Sequence, residues 1–334
     1  MSQSQPPTVV YQSVAPKSNP FLKALLILVL LLSLAANVVL LLALAGTISL
    51  KAGLMPSDRL EMKIVRHGSP DQIALVRISG LVDGSMVKSV TEQLRAIDRD
   101  TTIKAVVLRV DSPGGGVTDA DEIYHALQKL RSDGKSIVVS MGALDASGGY
   151  YISMAGQQLF AEPTSIVGSI GVMMPGFQVT GLMKKIGVKP EFLTSSAAVW
   201  KEAGSPFSDY TPAIKAYLVD MLNTDAARFI NIVQTGRSTH LKVPITQVAN
   251  GKIWAAPQAL KLGLVDHIGY LSAAYHAAAK LAGIYNPTVV EFHPPASLLD
   301  LINAQSAVGN PKMQLSPHLI YNLVKPRVEY LYIQ

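Results

Sequence analysis

The sequence predicts an α/β domain with a largely parallel sheet, preceded by a helix long enough to cross a membrane. Three observations carry this. From Gln72 onward, short β-prone runs alternate with segments whose apolar residues recur at helical spacing, and that βαβα rhythm is what a parallel sheet requires. The strands stop at Gly-, Ser- and Asp-rich turns, where α/β domains carry their chemistry. Upstream, Ala24 to Leu50 contains no charged residue and is dominated by Leu, Val and Ala. At about 1.5 Å per residue that run spans roughly 40 Å, more than a bilayer's hydrocarbon core of about 30 Å.

Taken in order, residues 1–20 are rich in Ser, Gln and Pro and read as a disordered tail. Residues 21–50 form the expected transmembrane anchor, with Asn37 its one strongly polar side chain. A cleaved leader is the alternative, with Ala43-Leu44-Ala45 as the cleavage site before Gly46; the length of the apolar run favours a retained span. Lys17 and Lys23 precede the run, while Lys51, Arg59, Lys63 and Arg66 follow it. Flanking charge therefore leans against export of the bulk, whereas large domains translocate largely regardless of charge. Residues 51–71 read as a juxtamembrane connector and 72–285 as the α/β domain.

Within that domain, Ile73 to Ile78 is a strand ended by Ser79-Gly80. Val87, Val90, Leu94 and Ile97 mark a helix over 84–98. Lys104 to Val110 is the next strand, stopping at Asp111-Ser112-Pro113-Gly114-Gly115-Gly116, and Ala120, Ile123, Leu127 and Leu130 line the helix after it. Ile137-Val138-Val139 makes a third strand, followed by Asp145-Ala146-Ser147-Gly148-Gly149-Tyr150-Tyr151 and a helix through Ala155. A long helix is expected from Asp209 to Gly236, with shorter ones near 256–263 and 270–282. Residues 286–334, with scattered prolines, read as a C-terminal extension, either loosely structured or an arm that packs on a neighbour.

Ser147 and Lys201 are the candidate chemical groups. Ser147 stands where a helix begins, so nearby backbone N–H groups lack intrahelical partners, and the Gly148 N–H is a candidate oxyanion donor. Gly114 or Gly115 could supply the second donor, since glycine lets backbone approach a ligand without a Cβ. Lys201 could act as general base if burial lowered its pKa, with Val199, Trp200, Ala203 and Phe207 as the apolar surround. Ser169, in Gly168-Ser169-Ile170-Gly171-Val172, is the candidate partner for the neutral amine. Taken singly, a Ser-Gly-Gly is usually a turn or cap and a lone lysine a solvated surface group; the conjunction points to a serine–lysine hydrolase.

Other chemistries find less support. Without cysteine the chain has no disulfide and no thiol nucleophile. The net charge of +6 is spread along the chain without a basic block, which argues against nucleic acid as a partner. Histidine spacing suggests no metal site, and no cofactor motif stands out. Ser147 lacks the first glycine of a G-x-S-x-G elbow. Ser85 to Lys88 and Ser132 to Lys135 match S-x-x-K by chance, without an accompanying K-T-G. Asp266 and His267 are adjacent and would point apart, and Asp119, Asp121 and Glu122 read as helix N-terminal charges.

The strings Asp111-Ser112-Pro113-Gly114-Gly115-Gly116, Ala146-Ser147-Gly148-Gly149-Tyr150-Tyr151, Gly168-Ser169-Ile170-Gly171-Val172, Lys201-Glu202-Ala203-Gly204-Ser205-Pro206-Phe207 and Gly263-Leu264-Val265-Asp266 occur in one order over roughly 72–285. In this the sequence resembles the signal peptide peptidase A family in its short, single-domain form. The resemblance implies a Clp/crotonase-like spiral of repeated ββα units. It implies Ser147 as nucleophile, Lys201 as general base, Ser169 as the residue orienting the lysine, and Gly114 with Gly148 as the oxyanion hole. It further implies hydrophobic peptides such as remnant signal peptides as substrates. A homo-oligomeric ring or dome, in which adjacent subunits can complete each site, is implied too. The location implied is the bacterial inner membrane, with a single-pass anchor and the catalytic domain outside the cytoplasm. Trp254-Ala255-Ala256 departs from the family's usual Thr-Gly pair. Two competing readings remain: a crotonase-like acyl-CoA enzyme without the dyad, and a non-catalytic membrane scaffold in the same fold.

Overall fold

A computed structural model of the chain describes residues 20–54, 60–293 and 329–331. The expected tail 1–20, apart from Pro20, and most of the 286–334 extension lie outside these residues. The chain divides into two compact units, one holding the N-terminal helix and the other the α/β domain.

The first unit contains α1, Pro20–Leu54. Its segment Ala24–Leu41 has a mean hydropathy of 2.9, making it long and apolar enough to cross a bilayer. The amide of Asn37 donates to the Ser33 carbonyl one turn back at 2.7 Å. The polar group is thereby partly satisfied on its own helix, which lowers its cost in an apolar surround.

The second unit is built on a nine-stranded mixed sheet in the order β1-β10-β2-β3-β5-β6-β9, with β7 on the end of β5 and β8 on β7. The strands are β1 Glu61–Arg66, β2 Ser69–Ser79, β3 Ile103–Ser112, β5 Ser136–Ala146, β6 Gln158–Ala161, β7 Ile166–Gly168, β8 Ile253–Ala255, β9 His267–Ile268 and β10 Pro287–His293. The central pairs β10–β2, β2–β3, β3–β5, β5–β6 and β5–β7 are parallel, as the βαβ rhythm requires; β1–β10 and β7–β8 are antiparallel. A short strand β4, Gly114–Gly116, lies off the main sheet and pairs with β11, Glu329–Leu331.

The helices are α2 Gly84–Arg99, α3 Val117–Ser132, α4 Gly148–Ser153, α5 Thr180–Ile186, α6 Pro212–Gly236, α7 Ala256–Leu262 and α8 Leu271–Leu281. The order β1-β2-α2 then β3-β4-α3 is the repeated ββα unit of a Clp-like fold. Asp83 caps α2, its carboxylate accepting from the Ser85 and Met86 N–H groups at 3.0 Å. Thr211 caps α6 with Pro212 following, a sequence-legible helix start.

Alternation along the strands splits the core into two. Ala74, Val76 and Ile78 face one cluster under α2, α3 and α4, while Ile73 and Leu75 face a second under α8. Both faces of the central strands are buried, so these strands read as continuous apolar runs rather than alternating ones.

Two expectations are corrected here. The connector 51–71 is not simply a linker: α1 continues to Leu54, and β1 and the start of β2 fall inside it. The extension beyond 285 begins with β10, inserted between β1 and β2 with Val289 and Val290 fully buried. A strand that returns from the far end of the chain to fill a gap in the sheet is a long-range pairing that local pattern does not reveal.

Candidate active site

β5 forks at its C-terminal end. Val138–Met141 pairs with β6, and Leu144–Ala146 pairs with β7. The fork sets Ser147 beside the strand that carries Ser169: Ala146 is in register with Gly168, and the Ser147 N–H donates to the Gly168 carbonyl at 2.8 Å. Ser169 is held in turn by its N–H to the Lys252 carbonyl, 2.8 Å.

Three non-glycine residues have positive φ among those described, and two of them are Ser147 (φ 55°) and Ser169 (φ 52°). Such backbone costs about 1–3 kcal/mol per residue and persists where the surroundings over-determine it, a pattern that clusters at functional sites. Ser147 ends β5 and opens α4, so its Oγ leaves the strand at a sharp turn. Only 1% of Ser147 is exposed, and its Oγ has no hydrogen-bond partner among the described residues. A buried hydroxyl without a partner is uncommon and fits a group kept for a reaction.

The glycine loop lies on the next strand over. Ser112 Oγ donates to the Gly80 carbonyl at 2.6 Å and accepts from the Gly114 N–H at 3.1 Å. The Gly114 N–H is therefore engaged inside the chain. The loop is also laced to Val82, through the Val82 N–H to the Gly114 carbonyl and the Gly116 N–H to the Val82 carbonyl. A Cβ on Gly115 would stand 1.9 Å from that Val82 carbonyl oxygen, which is why no side chain fits there.

Lys201 behaves differently. It lies in a surface turn with its side chain exposed, and its N–H bonds to the Ala198 carbonyl. The expected apolar surround is not formed within one chain: Val199, Trp200 and Phe207 are themselves exposed, and Ala203 is only half-buried. Between Gly171 and Tyr210, Gly204 alone is buried. This correction follows from the segment's position outside the sheet; its contact with α6, Trp200 against Tyr217 with ring centroids 5.3 Å apart, still leaves Trp200 48% exposed. Neither Lys201 nor Ser169 hydrogen-bonds the Ser147 hydroxyl.

Several motif residues turn out to brace the site. Asp266 accepts a bidentate pair from Arg237 at 2.6 and 3.0 Å and a third bond from the Leu159 N–H at 2.8 Å. Tyr150, next but two after Ser147, donates to the Leu264 carbonyl at 2.7 Å, and burial pushes its phenol upward. Asp121, expected as a helix-end charge, instead accepts from the Tyr151 hydroxyl and from Arg228 on α6. Trp254 pairs with Val167 across β7–β8, so the departing Trp-Ala-Ala segment supports the strand leading to Ser169. Sequence reasoning missed Asp145, Ser153 and Arg237, all buried polar residues around this site. An acid two residues before Ser147, at the end of a largely apolar strand, was the available signal.

The fold and this strand-end serine define the class, a Clp-protease-like α/β protein. The Clp protease family model matches residues 71–167, and the model described as Peptidase family S49 matches residues 129–285. A Synechocystis protein with a provisional protease name is 33% identical over 220 residues, covering 66% of this chain and 77% of that protein. A similarly named protein of Methanocaldococcus jannaschii is 38% identical over 197 residues, 59% of this chain and 62% of its own length. Protease 4 of Haemophilus influenzae is 33% identical over 243 residues, 70% of this chain and 38% of its own. The chain thus spans less than two thirds of the latter two relatives. It belongs to peptidase family S49.

Proposed function

We propose that the chain is a serine endopeptidase, anchored in the bacterial inner membrane by α1 with its α/β domain outside the cytoplasm. In this reading Ser147 is the nucleophile and Lys201 the general base. The observation that carries it is Ser147 itself: strained and buried at the fork of β5, its hydroxyl without a partner among the described residues, beside Ser169 and one strand from the glycine loop.

The chemistry runs as follows. The neutral Lys201 amine takes the Ser147 proton as Oγ attacks the scissile carbonyl carbon. Charge collects on the carbonyl oxygen, where the Gly148 N–H and the Gly114 N–H stabilise it, the latter exchanging its bond to Ser112 Oγ for the oxyanion. The lysine returns the proton to the departing amine, leaving an acyl-enzyme. Water then attacks the acyl carbon, losing a proton to the lysine, which passes it to Ser147 Oγ as the ester bond breaks and the new acid is released. Ser169 holds the amine.

This assignment requires Lys201 to be desolvated, and a homo-oligomeric ring or dome supplies what one chain lacks. Phe177 (76% exposed), Leu193 (92%), Val199 and Trp200 lie on the same uncovered segment as Lys201. So many large apolar side chains on one short segment are what a subunit interface covers. Burial there would favour the neutral amine.

Peptides, including remnant signal peptides, would bind extended along β4. Supporting this, β4 pairs with an antiparallel strand from the chain's own C-terminus, Tyr330 opposite Gly115 and Leu331 opposite Gly114. An edge that takes one extended strand by backbone bonding suits peptide capture by strand addition.

Fluorophosphonate labelling of the detergent-solubilised protein tests the reading. Wild type should label, and Ser147→Ala and Lys201→Ala should not. Labelling that persists in Ser147→Ala overturns the nucleophile assignment; labelling retained in Lys201→Ala overturns the base.

A further inference from the structure

Asp145 is fully buried and stands two residues before Ser147, on the strand that delivers it. It is in register with Ser112 on one side, the residue gripping the Gly114 N–H, and with Val167 on the other, two residues before Ser169. Its carboxyl therefore sits where the three loops of the candidate site meet. Oδ2 accepts from the buried Ser153 hydroxyl on α4 at 2.6 Å. Oδ1 has no partner among the described residues. Gly149 is next to it: a Cβ there would stand 2.9 Å from Oδ1 and 3.1 Å from the Ser112 carbonyl oxygen. Gly149 is thus the residue whose missing side chain leaves room for the carboxyl under the first turn of α4.

The charge environment is one-sided. The charged group acting on Asp145 from β3 is Asp111, itself an acid, and from α4 the neighbouring titratable group is Tyr150; among the described residues no cation offsets the carboxylate. An ionised Asp145 would keep a bare Oδ1 in the core, with its negative charge close to the place where the oxyanion develops. A neutral acid has a proton for Oδ1 to donate and adds no charge. The surroundings favour the second state, and burial raises the carboxyl to about 7, opposed in part by the Ser153 hydroxyl.

We infer that Asp145 is a positioning residue that works as the uncharged acid, holding the Ser147 turn against the glycine loop, and that loss of its proton lowers the reactivity of Ser147. The inference rests on Ser147 being the nucleophile. It yields an alkaline limb that belongs to Asp145.

The test is the rate of fluorophosphonate labelling against pH in wild type, Asp145→Asn and Ser153→Ala, all full-length in detergent. Asparagine has the shape of the neutral acid and cannot ionise. The wild-type rate divided by the Asp145→Asn rate should be flat in acid and fall about tenfold per pH unit once the carboxyl titrates. Ser153→Ala, which removes the bond favouring the charged form, should move that fall to higher pH. A ratio independent of pH, or a Ser153→Ala profile superimposed on wild type, overturns the inference. Infrared difference spectra of wild type between about pH 6 and about pH 8 supply a readout without activity and without relying on the Asn variant's folding. A protonated-carboxyl band present only at the lower pH is expected, and its absence overturns the inference even if Ser147 labels. Absence of labelling in wild type at every pH, with the band present, instead overturns the nucleophile reading and removes the positioning role with it.

Discussion

Replacing Asp266 with alanine probes how the site's far wall is held. The carboxylate is 8% exposed and the facing Arg237 2%, joined through two bonds of 2.6 and 3.0 Å. Its removal would leave a guanidinium in the core with only the Gly263 carbonyl at Nε, and the Leu159 N–H without its acceptor. Breaking a buried pair from one side costs about 3–5 kcal/mol, because the remaining charge is uncompensated. For a domain of this size that is a fall in Tm of roughly 6–20 °C. Thermal unfolding of the full chain in detergent reads it. The double variant Arg237→Met/Asp266→Leu should recover much of the loss, since it leaves no unpaired charge. A cost for Asp266→Ala below about 1 kcal/mol, or a double variant no better than the sum of the singles, refutes the reasoning. The pH dependence has a defined sign. Burial works to raise the Asp266 carboxyl, but the hydrogen bonds and charge of Arg237 outweigh it and hold the group below its ordinary 3.8. A depressed carboxylate contributes stability above that ordinary value and loses it as pH falls through the lower folded value. Asp266→Asn should therefore lose part of the acid-unfolding limb.

Two other expectations concern the glycine strand. Gly115→Ala brings a Cβ to 1.9 Å from the Val82 carbonyl oxygen, so β4 must shift; fluorophosphonate labelling should fall at least about tenfold while the melt drops by a few degrees, and unchanged labelling would count against β4 as part of the site. Ending the chain at Val328 removes β11 from β4; KM for a peptide substrate should decrease with kcat unchanged, and an unaltered KM would show that peptides do not use this edge.

The elements legible in sequence were those set by local pattern. The helices α2, α3 and α6 and the strands β2, β3 and β5 follow from periodicity and apolar runs, and Thr211-Pro212 marks a helix start that needs no tertiary help. The turn at Ser147 was legible because a Ser-Gly-Gly between a strand and a helix leaves little choice of geometry. The short strands β4, β7, β8 and β9 were not, because two or three residues carry no period and their pairing depends on partners far along the chain. β10, seven residues long, was hidden by its pairing alone: its two neighbours in the sheet, β1 and β2, lie more than two hundred residues earlier.

Sequence by itself determined the apolar span, the parallel α/β rhythm and the residue types available for chemistry, since each depends on spacing along one segment. Tertiary structure alone decided that Ser147 and Ser169 are neighbours, that Asp145 is sealed beneath them, and that Asp266 is spent on Arg237 rather than on chemistry. It decided too that Lys201 is exposed in a single chain. Burial and charge pairing are properties of packed surfaces, and packing joins residues that the order of the chain keeps apart.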